Sequence, residues 1–279
     1  MRTVLKSTAL IVTAGLALSV AACSSSGKSG SSNSSNNADK PLVVVASPTP
    51  HAQILDYIKD NLAAKAGLKL TVKEVSDYTL QNPAVQDGSA DANFFQHVPY
   101  LTDFNKTHGT DIVPVEPVHL EPLGVYSKKV KKVADLADGA SVAVPNDATN
   151  EGRALKLLAD NQVITLKAGA GTTATVQDIA SNPKHLKFKE LDAAQLPRAL
   201  DDVDASVING NNALGAGLKP ATDAILLEKA DGNPYANVLA VKKGHENDPR
   251  VQKLAQLLHS PEVKKYIDDT FQGSVIPAF

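Results

Sequence analysis

Residues 41–47 read PLVVVAS, an apolar run with no alternation between apolar and polar positions. A strand exposed on one face alternates, so an unbroken run of this length suits a strand covered on both faces, as in the interior of a parallel sheet. The following stretch, HAQILDYIKDNLAAKAG, sets Ile54, Leu55, Ile58 and Leu62 on one face of a helix and stops at Gly67. Residues 68–75, LKLTVKEV, then alternate as a strand does. Strand, helix and strand in that order predict a βαβ unit with parallel pairing and a right-handed crossover.

The pattern returns downstream. SVAVP (141–145), KFKEL (187–191), ASVING (205–210), AILLE (224–228) and NVLAVKK (237–243) read as strands. A helix is expected from about residue 151, and two more open at NDPRVQKL and SPEVKKY, each with proline behind an Asp or Ser cap. The predicted class is α/β. The segment 113–129, VPVEPVHLEPLGVYSKK, is extended and studded with proline. It suits either a crossover between two lobes or an edge strand with a loop.

The N-terminus reads as targeting sequence. Arg2 and Lys6 precede the apolar stretch ALIVTAGLALSV, which is too short for a comfortable membrane span. Val20-Ala21-Ala22-Cys23 resembles a lipobox, in which the cysteine becomes the lipid-modified first residue of the mature chain. Cys23 is the only cysteine, so no intrachain disulfide is possible. Residues 1–22 are expected to be a signal peptide. Residues 23–40, a Ser/Asn/Gly tract, are expected to tether the fold to a membrane. With a net charge of −2 and KKVKKV (128–133) as the one basic cluster, nucleic acid is a poor partner.

Two clusters stand out as candidate chemistry. Tyr78, Phe94, Phe95, Tyr100 and Phe104 gather many of the chain's six phenylalanines and six tyrosines around His97. They suit either the wall of a small-ligand pocket or the core of a protein poor in aromatics. The second cluster is VPNDATNEGRAL (144–155). A helix starting near Glu151 would place Arg153 in its first turn, where the macrodipole disfavours a cation. Either an anionic ligand completes that guanidinium, or the arginine turns to solvent. Motif-based enzyme readings find no HExxH, CxxC or GxSxG. His119, Glu121 and His97 offer a possible metal set, although a chance scatter of seven histidines explains them more simply.

The blocks NFFQHVPYL (93–101), GVYSKKVKKVADLADGASVAVPNDATNEGRALKLL (124–158), LDAAQLPRALDDVDASVIN (191–209) and NPYANVLAVKK (233–243) resemble the methionine-binding lipoproteins of the MetQ/NlpA type. The resemblance implies a two-lobed periplasmic-binding-protein-like fold of the second type, with the ligand in the interlobe cleft. It implies residues 41–122 with 235–279 as lobe I, residues 123–234 as lobe II, and a hinge within 113–129. It also implies methionine as ligand, an ABC permease and its ATPase as partners, and an extracytoplasmic position at the cell membrane through the lipid on Cys23. No cofactor, metal or catalysis is implied. Matched residue by residue, the family's pocket corresponds to Tyr78, Phe95, His97, Tyr100, Asn150, Arg153, Asn209 and Asn237. Arg153 and its helix start would take the α-carboxylate, the asparagines the ammonium and carboxylate, and the aromatic set the thioether. Phe94 and Asn212 depart from the family pattern and bear on side-chain selectivity. Import of another amino acid or of a divalent metal is the alternative reading.

Overall fold

The computed structural model describes residues 40–279; the expected signal peptide, Cys23 and nearly all of the tether lie outside the described residues. The chain opens with β1 (Leu42–Ala46), followed by a helical stretch whose regular part is α1 (Gln53–Ile58), and then β2 (Leu70–Glu74). β1 and β2 pair in parallel, as the sequence pattern requires. Ile54, Leu55 and Ile58 have no exposed surface, and each such side chain contributes about 1.5–3 kcal/mol of burial. Next come α2 (Tyr78–Gln86), β3 (Ala92–His97), α3 (Val98–His108) and β4 (Ile112–Leu120).

The chain then leaves this sheet. β5 (Gly124–Tyr126) begins a second one, followed by β6 (Ser141–Pro145) and α4 (Ala148–Asp160). A small antiparallel ribbon, β7 (Thr165–Leu166) with β8 (Ile179–Ser181), precedes β9 (Lys187–Leu191) and α5 (Leu196–Ala199). β10 (Ala205–Ile208), α6 (Gly210–Gly215), α7 (Pro220–Asp223) and β11 (Leu226–Leu227) complete this half. The chain returns through β12 (Asn237–Lys242), α8 (Pro249–Leu258), α9 (Pro261–Phe271) and β13 (Ile276–Pro277). α8 and α9 carry the expected Asp248 and Ser260 caps, each with a proline at the start.

Among the described residues, the first sheet runs β13-β4-β12-β3-β1-β2 and the second β11-β5-β10-β6-β9. Each mixes parallel central pairs with antiparallel returns. The proline-rich segment is therefore a crossover: β4 lies inside the first sheet, beside β12, and β5 inside the second. Separate apolar cores sit on the two sheets, one around Leu42, Ile54, Leu239 and Ile267, the other around Val142, Leu155, Leu158 and Val207.

Three expectations need correction. AILLE forms only the two-residue β11, flanked by the backbone hydrogen bonds of Ile225 to Val125 and of Glu228 to Leu123. α4 begins at Ala148 rather than near residue 151, because the Asp147 carboxylate caps it by accepting the backbone N–H of Asn150. Arg153 consequently lies beyond the first turn, and the macrodipole objection to it disappears.

Candidate functional site

The C-terminal ends of the parallel strands converge between the two sheets, the usual ligand position in open α/β architecture. His97 ends β3, Glu121 follows β4, α4 follows β6, and Asn209 follows β10. Asn237 opens β12, whose antiparallel register sets it beside His97 on one side and His119 on the other. The result is a chamber between the two sheets lined by Tyr78, Phe95, His97, Tyr100, Asn150, Arg153, Asn209 and Asn237, together with Gln96, Glu121, Gly210 and Asn211. The structure therefore brings together all eight residues singled out from sequence. Phe94 and Asn212 lie outside this lining: Phe94 meets the His51 ring edge-on at 4.7 Å, and Asn212 Nδ2 donates to Tyr78 Oη at 3.2 Å.

The aromatic wall holds itself together. Tyr78, Phe95 and Tyr100 contact one another with ring centroids 5.6–6.0 Å apart. His97 caps α3: its Nδ1 accepts the backbone N–H of Tyr100 at 3.1 Å, so the ring proton resides on Nε2. That Nε2 donates to Asn150 Oδ1 at 3.2 Å. Burial, and then the Arg153 charge, lower the His97 pKa to about 3, which keeps the ring neutral. The Tyr78 hydroxyl donates to Asn211 Oδ1 at 2.5 Å, and burial pushes its pKa well above the usual range. His97–Asn150 and Tyr78–Asn211 are thus direct polar links from one sheet's elements to the other's.

The polar wall rests on longer-range pairing. The Arg153 guanidinium is buried, not solvated, with only 4% of its side chain exposed. Its Nε donates to Glu228 Oε1 at 2.9 Å, and Nη2 donates to Glu228 Oε2 and to the Glu121 carbonyl. The Tyr235 ring stacks over the guanidinium, 4.3 Å from its centroid. Glu228 also accepts the backbone N–H of Leu123, which ties Arg153 to the crossover segment. The guanidinium is therefore tolerated because an internal carboxylate neutralises it, and these contacts do not use Nη1. Asn150 Oδ1 accepts from Asn209 Nδ2 at 2.8 Å while Asn150 Nδ2 donates to Asp147. Asn209 Oδ1 is buried without a hydrogen-bond partner among the described residues. It is an acceptor available to a donor in the chamber.

Sequence reasoning missed four contributors. Glu228 and Tyr235 act on Arg153 from 75 and 82 positions away, and no local signal marks them. Glu121 was weighed as a metal ligand with His119 and His97; the structure replaces His97 by His51. His51, His119 and Glu121 present ligand atoms within 4.8 Å of one another, all buried. Gly210 matters by what it lacks, since a Cβ there would come 2.7 Å from Glu121 Cβ.

A sequence model of the NlpA lipoprotein family matches residues 42–279. The chain belongs to the NlpA lipoprotein family. Among NlpA relatives, the methionine-binding lipoprotein MetQ of Bacillus subtilis is 40% identical over 273 residues, covering 96% of both chains. The membrane lipoprotein TpN32 of Treponema pallidum is 42% identical, covering 82% of this chain and 85% of its own. A nutrient-binding protein from Burkholderia cenocepacia, solved bound to methionine, is 48% identical. It superposes with a TM-score of 0.83, covering 85% of this chain and 100% of its own. The fold is that of the MetQ-type substrate-binding proteins. No helix of the described residues is long and apolar enough to cross a membrane.

Proposed function

We propose that this lipoprotein captures methionine in the chamber between its two sheets and delivers it to an ABC importer. Cys23 carries the lipid, the folded part faces the extracytoplasmic side of the cell membrane, and a permease with its ATPase receives the ligand. Residues 41–122 with 235–279 form lobe I and 123–234 lobe II, a division supported by the two separate sheets and the crossovers between them. The reading is of a binding protein rather than an enzyme, in line with the relatives' names.

The observation that carries the reading is the division of one chamber into an apolar aromatic wall and a polar wall. Tyr78, Phe95, His97 and Tyr100 suit a thioether, since sulfur against aromatic edges contributes about 0.3–1.5 kcal/mol per contact. Arg153, Asn150, Asn209 and Asn237 suit the charged end of an α-amino acid. Arg153 meets the α-carboxylate with the guanidinium edge that Glu228 leaves over. Asn209 Oδ1, lacking a partner, accepts from the ligand.

Calorimetry on the soluble chain from Lys40 onward tests this, titrating L-methionine, leucine, Zn²⁺ and Mn²⁺ in separate runs. Methionine is expected to bind, and more tightly than leucine. Heat and thermal stabilisation from a metal alone, with no response to any amino acid, would overturn the reading in favour of metal import.

A further inference from the structure

His51 and His119 do not line the chamber, yet both point into its wall. Each is fully buried, and each aims Nε2 at the same atom, Glu121 Oε1, at 3.1 Å and 2.7 Å respectively. A carboxylate oxygen accepts, so both imidazoles carry their proton on Nε2. His119 Nδ1 is then buried without a hydrogen-bond partner among the described residues, while the His51 ring also meets the Thr49 backbone. His51 Nε2 also lies 3.1 Å from Asn237 Oδ1, a second chamber residue. Phe94 meets both rings edge-on and wedges them in place. On the opposite side Gly210 approaches so closely that its missing side chain leaves room for Glu121 Oε2, 3.3 Å from where a Cβ would stand.

Two imidazoles thus tie one carboxylate oxygen from behind while the group itself lines the chamber. An isolated carboxylate buried this deeply would favour its neutral form, and burial does raise the Glu121 pKa against the opposing pull of His51 and Arg153. Two N–H donors on one oxygen favour the anion and fix its direction.

We propose that Glu121 is the acceptor for the ligand's α-ammonium group, and that His51 and His119 are positioning residues that hold this carboxylate in place for it. This rests on the reading of the chamber as an amino-acid site and deepens it: the ligand class is a zwitterion with a free α-amine. Loss of the amine leaves the buried carboxylate with its imidazole donors and no cation in the chamber, which penalises the analogue more than a lost apolar contact would.

The test compares L-methionine with its des-amino analogue, 4-(methylthio)butanoate, by calorimetry on the wild type and on His119→Leu, His119→Gln, His51→Gln and Glu121→Gln, with a thermal melt of each. The wild type should prefer methionine by roughly a hundredfold or more. Glu121→Gln and His119→Leu should weaken methionine by about tenfold or more, with the analogue changing by less than about threefold. His119→Gln, which keeps an amide donor where Nε2 stood, should recover most of the loss, and His51→Gln should behave likewise. Equal wild-type affinity for the two ligands overturns the proposal without any variant. So does a loss that is the same for both ligands in every folded variant. Stabilisation of the wild type by Zn²⁺ that vanishes in the histidine variants overturns it in favour of a cation site. A wild type that binds no methionine defeats the reading of the chamber instead.

Discussion

The aromatic wall and the polar wall of the chamber are built on opposite plans. Tyr78, Phe95, His97 and Tyr100 come from one continuous stretch of chain, and their rings touch one another directly. Glu121, Asn150, Arg153, Asn209 and Asn237 come from separate elements, and each depends on a partner distant in sequence: Arg153 on Glu228, Glu121 on His51, Asn209 on Asn150, Asn237 on His51. In the first wall Phe95, His97 and Tyr100 follow from local geometry, because the strand β3 running straight into α3 crowds its side chains around one corner, and Tyr78 joins them from the start of α2. The second exists only when the crossover and both sheets are in place. A substitution in the aromatic wall removes contacts that neighbouring rings partly replace. One in the polar wall strands a buried charge or lone pair, which has no substitute.

The largest expected effect is that of acid, and imidazoles of both walls contribute to it. His97 in the aromatic wall, and His51 and His119 behind the polar wall, remain neutral in the folded chain down to about pH 3, 4 and 3 respectively. In the unfolded chain each takes up a proton near pH 6.5. Between pH 6.5 and 4 the unfolded state therefore binds more protons, and acidification should cost on the order of several kcal/mol of stability. Glu121 and Asp147 have raised pKa values, chiefly through burial, so the folded chain binds their protons first and they oppose this trend. Urea unfolding from pH 7.5 to 4.5 should show a falling free energy, and His97→Gln should flatten the slope. A stability that rises on acidification would show that the carboxylates, not the imidazoles, govern it.

Next in size is Arg153→Ala. It leaves the largely covered Glu228 carboxylate without its cation and should cost about 3–5 kcal/mol in urea unfolding, besides abolishing methionine binding. The double change Arg153→Met with Glu228→Leu should recover most of the stability and none of the binding. If the single variant loses binding at unchanged stability, Glu228 is not the structural counterion inferred from its geometry.

The smallest effect belongs to the aromatic wall. Tyr78→Phe keeps the ring contacts and removes one donated and one accepted hydrogen bond, to Asn211 and Asn212. It should cost about 1 kcal/mol of stability and shift methionine affinity by less than about tenfold. A loss as large as that of Arg153→Ala would erase the contrast between the walls.

The aromatic residues were legible because chemistry and position coincide along one stretch of chain, and the β1–α1–β2 unit because two hydrophobic periods succeed one another without interruption. Arg153 was picked out for a reason the structure removes. Asp147, not a residue beside Glu151, caps α4, and ND, DAT and TNE all contain plausible caps, so the boundary was ambiguous by three residues. The family resemblance nonetheless led to the same arginine. Glu121 carried a readable signal, an acid two residues from a histidine in a proline-rich crossover, whereas His51 in PTPHAQIL looked like any residue at the start of a helix.

By itself the amino-acid order determined the α/β class, the parallel first unit, the capped C-terminal helices and the aromatic corner, since each follows from periodicity or neighbouring residues. Only the tertiary structure decided which carboxylate neutralises Arg153, which imidazoles stand behind Glu121 and which asparagine oxygen is left without a partner. Those are pairings between strand ends brought together by two crossovers, and a buried charge or lone pair is satisfied by whatever lies beside it in space, at whatever distance along the chain.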